Sequence, residues 1–156
     1  MKKKILISII VLFVVVLTSA ITFAINLQPN YTKPSDYKIG ISYEDAVKSD
    51  RPIVALFYVD WCGYCMKFMP KYKIVQDIYK KEFNFVMLNA EAPENLKLVE
   101  DVSLTGFPTM YILDPKYDNR VLLNNALYMD MKKLRVEFDR YLRIRKMLDS
   151  LQKMNH

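Results

Sequence analysis

The sequence predicts an α/β domain: a central mixed sheet of about four strands flanked by helices, preceded by an N-terminal hydrophobic helix. Three observations carry this. Runs of β-branched and aromatic residues alternate with helical periodicity in the order α, β, α, β, α, β, β, α. The uncharged run from Ile5 to Leu27 stands apart from the rest of the chain. The remainder of the 156 residues suits one domain.

At the N-terminus, Met1-Lys2-Lys3-Lys4 is a basic flank to the apolar run. Residues 1–27 therefore read as a signal peptide or a transmembrane anchor, since a span takes about 20 residues. The run stays apolar through Leu27, which favours the uncleaved anchor, and the lysines mark the inner side. Residues 28–38 hold Pro29 and Pro34 without periodicity and read as a tether. The domain is expected over 39–156, with an extended basic C-terminal helix.

Ser42, with Asp45 three residues on, starts a short helix reaching about Lys48. Arg51-Pro52 breaks it, and Ile53 to Val59 is apolar enough for a central strand. A helix opening near Cys62 should run to about Lys81, with Met66, Met69, Ile74, Ile78 and Tyr79 on its apolar face and a kink at Pro70. Phe83 to Asn89 is the second strand, and about Asn95 to Asp101 a short helix. Thr109 to Leu113 and Arg120 to Leu123 form an antiparallel pair about the turn Asp114–Asn119. The last helix, about Asp130 to Gln152, carries the stripe Met131, Leu134, Phe138, Tyr141, Leu148 and Leu151.

The chemistry centres on Asp60-Trp61-Cys62-Gly63-Tyr64-Cys65, which contains the only two cysteines. A strand delivering Cys62 to a helix start would place its sulfur among free amides that favour a thiolate. Cys65, one turn on, could then attack a mixed disulfide formed at Cys62. A zinc site needs about four ligands, and His156 is the only histidine to add to the pair.

The formal charge of +6 is uneven: residues 29–129 hold 12 basic and 13 acidic side chains, while 130–156 hold 8 and 4. The near-neutral body gives no reason to expect nucleic acid.

These motifs resemble the thioredoxin family over about Ile39 to Leu148. Trp61-Cys62-Gly63-Tyr64-Cys65 resembles its active-site motif, Pro70 its helix proline, and Gly106-Phe107-Pro108-Thr109 its cis-proline loop. The resemblance implies a thioredoxin fold, a cis Phe107–Pro108 bond beside the sulfurs, and pairing of Phe107 backbone with an extended substrate. It implies Cys62 and Cys65 as catalytic, and Trp61, Gly63, Tyr64, Phe107 and Pro108 as substrate contacts. Asp60 is a candidate proton carrier. No cofactor is expected beyond the redox-active disulfide, and no metal. Partners would be protein thiols or disulfides, an unidentified redox partner, and a membrane through residues 5–27, on its extracytoplasmic side.

Two departures from the family pattern bear on mechanism. Where thioredoxins place a buried Asp, six residues before the first Cys, this chain has Leu56, and the partnering Lys aligns with Met87. The deep cysteine would need water, Asp60 or Glu91 to take its proton. Asn125 stands near a usual glycine. Gly63-Tyr64 brings no cation into the motif, which favours a reducing or isomerising role over a strongly oxidising one. The alternatives are soft-metal (copper) handling by the two cysteines with a methionine, and a low-turnover substrate-binding module.

Overall fold

A computed structural model describes residues 2–26 and 32–154. It divides into two compact units, 1–31 and 32–156. The first contains helix α1 (Lys2–Asn26), whose stretch Lys3–Phe23 is long and apolar enough to cross a membrane. Leu27, tether residues 28–31 and His156 lie outside the described residues.

In the second unit, β1 (Ile53–Tyr58), β2 (Asn84–Asn89), β3 (Thr109–Asp114) and β4 (Asn119–Leu123) form one sheet of order β2-β1-β3-β4. β1 runs parallel to β2 and antiparallel to β3, and β3 is antiparallel to β4. The helices are α2 (Tyr43–Ala46), α3 (Gly63–Tyr79), α4 (Leu96–Asp101), α5 (Asn125–Tyr128) and α6 (Met131–Met154). The expected mixed sheet and element order are present, with α5 added. Asn124 caps α5 by accepting the Ala126 N–H, a signal visible in the sequence as two asparagines before a short apolar run.

β1 is buried on both faces because its alternating side chains enter two cores. Val54 and Leu56 meet Phe68, Met69, Tyr72 and Phe138 on the α3/α6 side. Ile53, Ala55 and Phe57 meet Val86, Leu88 and Val102 on the other. Tyr72 is fully buried, and its hydroxyl satisfies the Val54 and Val86 carbonyls at 2.9 and 3.0 Å. Burial raises that phenol far above its ordinary value.

The helix faces differ from expectation in two places. α3 buries Cys65, Phe68, Met69, Tyr72, Val75 and Tyr79, whereas Ile74 and Ile78 are exposed and Met66 is half-buried. At about 100° per residue, Ile74 lies some 200° round the helix from Tyr72, so both cannot face the core. On α6, Leu134, Phe138 and Tyr141 are buried, but Leu148 and Leu151 are exposed. Pro70 sits inside α3, which continues past it to Tyr79.

Within the span read as a tether, residues 32–38 carry contacts to the domain. Pro34–Asp36 forms a 3-10 turn with Pro34 buried, and Ser35 donates from its N–H and its Oγ to the two oxygens of Asp60, at 3.0 and 2.7 Å. Further on, Ile41 N–H bonds the Phe85 carbonyl. At Gly40 (φ 81°) the backbone lies so close that a Cβ would sit 1.9 Å from the Phe85 oxygen.

Candidate active site

The site forms where β1 ends and α3 begins. Cys62 is the N-cap residue of α3, in extended conformation, and its Sγ accepts the Cys65 N–H at 3.1 Å. The chain turns here because the Cys62 N–H bonds the Val59 carbonyl while the Cys62 carbonyl receives the Met66 N–H. Cys62 and Cys65 are joined in a disulfide, with Cα atoms 5.2 Å apart. Cys62 keeps 7 % exposure and Cys65 none, so of the two cysteines only Cys62 reaches the surface.

Around the pair, Tyr58, Val59 and Ala90 form a small apolar cluster, with Met87 and Phe107 packed against it. The Phe107–Pro108 bond is cis. Trp61 is exposed, meets Phe107 edge-on at 6.4 Å between ring centroids, and donates from Nε1 to Glu91 at 2.8 Å. Glu91 thus acts as a brace for the indole, a pairing across 30 residues that no local pattern announces. Gly63 and Tyr64 are exposed beside the sulfurs. Tyr64, Phe107 and Pro108 line a groove of about 680 Å³ with Leu122, Asn125 and Tyr128. Trp61 and Gly63 are not part of that lining.

Three features bear on proton movement. Leu56 is fully buried and lies directly across from Met87 in the β1–β2 register, so the two apolar replacements are neighbours. Asp60 has both oxygens engaged by Ser35, and Glu91 is engaged by Trp61; neither bonds a cysteine among the described residues. Burial, and after it the charge of Asp60, pushes the Tyr58 phenol up. Among the described residues, no three His, Cys, Asp or Glu side chains gather as a metal site.

Comparison with known proteins gives one consistent result. A family model described as "Thioredoxin" matches residues 37–126. The chloroplastic thioredoxin-like protein HCF164 of Arabidopsis thaliana is 32% identical over 74 residues, covering 47% of this chain and 28% of that protein. The thiol:disulfide interchange protein TxlA of Synechococcus elongatus is 33% identical over 72 residues, covering 46% of this chain and 38% of TxlA. The chain thus spans well under half of either relative's length. Among solved structures, the germline-specific thioredoxin Deadhead of Drosophila melanogaster superposes with a TM-score of 0.52 at 22% identity, covering 67% of this chain and 98% of Deadhead. At that identity the likeness speaks for the fold alone.

Proposed function

Because the chain belongs to the thioredoxin family, we propose that it is a thiol–disulfide oxidoreductase acting on protein substrates through Cys62 and Cys65. The observation that carries this reading is a disulfide whose outer sulfur caps a helix beside a cis-proline loop.

In the reduced protein the Cys62 thiolate attacks one sulfur of a substrate disulfide. That S–S bond breaks, a Cys62–substrate disulfide forms, and the departing sulfur leaves as a thiolate that takes a proton from water. Cys65 gives up its proton and attacks Cys62 Sγ, which releases the second substrate sulfur and closes the Cys62–Cys65 bond. Two electrons have passed to the substrate, and a dithiol partner returns them. The motif contains no cation to stabilise the thiolate, which supports a reducing or isomerising direction. Trp61, Tyr64, Phe107 and Pro108 supply the contact surface, and Gly63 leaves room beside Cys62. The role of Asp60 is to latch the 34–36 turn to the active-site loop.

The working location is the extracytoplasmic side of a membrane. Three lysines before an apolar stretch of spanning length support it.

Insulin reduction with dithiothreitol tests the activity. The wild type should precipitate insulin chains much faster than dithiothreitol alone, and Cys62→Ser should not. A wild type no faster than dithiothreitol removes the reading. A reporter fused after His156 should be active only outside the cytoplasm; cytoplasmic activity would reverse the topology.

A further inference from the structure

The cis-proline loop presents three successive carbonyls, and two of them are already occupied from within the fold. Thr109 Oγ1 donates to the Gly106 carbonyl at 2.7 Å. The Tyr128 hydroxyl donates to the Pro108 carbonyl at 2.5 Å. Between them, the N–H and C=O of Phe107 have no partner among the described residues, and Pro108 has no N–H to offer.

Tyr128 is well held for this task. It is 4 % exposed, it belongs to α5 on the far wall of the groove, and its ring packs edge-on against Phe68 of α3 at 5.3 Å. Burial raises its phenol, so it remains protonated, and therefore a donor, at neutral pH.

We propose that Tyr128, assisted by Thr109, is a positioning residue that fixes the register in which an extended substrate strand pairs with the loop. The inference rests on the disulfide-exchange reading. With both flanking carbonyls occupied, a substrate strand finds one open donor–acceptor pair, that of Phe107. A slip of one residue moves the strand by about 3.4 Å and turns its side chains to the opposite face, carrying the substrate sulfur away from Cys62. Losing the Tyr128 donor would leave the buried Pro108 carbonyl unpaired and loosen the loop that holds the Phe107 pair in place, which opens competing registers. Register matters only for substrates that carry a backbone through the groove, so a small disulfide should not sense the change.

Tyr128→Phe keeps the ring and removes only the donor. In steady-state reduction of a peptide disulfide, its KM should rise about fivefold, the factor a single net hydrogen bond supports, with kcat little changed. Reduction of hydroxyethyl disulfide should match the wild type. Thr109→Val should act in the same direction, and Thr109→Ser, which keeps the hydroxyl, should restore wild-type KM. An unchanged peptide KM in Tyr128→Phe would overturn the inference. So would equal losses on the peptide and the small disulfide, which would mark a general loosening of the fold. A wild type inert toward both substrates would instead remove the exchange reading, and this inference with it.

Discussion

The two ends of β3 have opposite chemistry. At its start, Thr109 adjoins the cis-proline loop, and the cysteines are surrounded by Tyr58, Val59, Ala90, Met87 and Phe107. At its finish, Asp114 is buried and receives Tyr141 Oη at 3.0 Å and Arg145 Nε at 2.7 Å. Arg145 also bonds the Asp50 carbonyl and pairs with Asp149, which is held in turn by Lys116 and by the Tyr117 hydroxyl. The one buried carboxylate among the described residues therefore sits a whole strand, about 17 Å, from the loop beside the cysteines. Thioredoxins resembling the sequence pattern keep a buried charge behind the cysteines; this chain keeps its own at the far end, where it fastens α6 to the sheet. Buried charge and redox chemistry are separated, while the carboxylates beside the cysteines, Asp60 and Glu91, are exposed or half-buried.

Breaking the far end should have the largest effect on stability and little on chemistry. Asp114→Ala leaves Arg145 largely buried without its main partner and should lower unfolding free energy by about 3 kcal/mol. Urea denaturation measures this. At concentrations where the variant is folded, alkylation of reduced Cys62 by iodoacetamide should proceed at the wild-type rate. A large change in that rate would show that the two ends are coupled.

A smaller effect is expected from Asp149. Lys116, then Tyr117 and the Arg145 charge, hold its carboxyl below the usual range. A depressed folded-state pKa contributes stability above the ordinary carboxylate value, and this is lost as pH falls through the lowered one. Asp149→Asn should therefore flatten the acid side of the stability–pH curve modestly. An unchanged curve would show that the exposed half of the network contributes nothing, as many surface pairs do.

The active-site end was far more legible in the sequence than the other. A strand, a two-cysteine helix start and a Gly-Phe-Pro-Thr loop are local patterns, and each implies its own backbone geometry. What escaped was long-range. Ser35 finds Asp60, Trp61 finds Glu91, Tyr128 finds Pro108, and Arg145 finds both Asp114 and Asp50, all across 20 or more residues. Helix faces also escaped where apolar residues occur all round. The sequence pattern puts Ile74 and Ile78 on the core face of α3, whereas the structure buries Val75 there, in line with the inward direction of Cys65 and Tyr72. Leu148 and Leu151 continue the stripe of α6 yet stand exposed.

The distance of the buried charge from the cysteines has a direct kinetic consequence. With Leu56 opposite Met87, which packs against the cysteine cluster, and with Asp60 and Glu91 engaged by Ser35 and Trp61, the Cys65 proton is expected to leave to solvent before the mixed disulfide resolves. The decisive measurement is the rate of that resolution at pH 7 as imidazole buffer is raised at constant ionic strength, in the wild type and in Leu56→Asp with Met87→Lys. The wild-type rate should climb with buffer base, and the double variant should be faster without buffer and nearly insensitive to it. A wild-type rate independent of buffer and equal to that of the double variant would contradict proton loss to solvent.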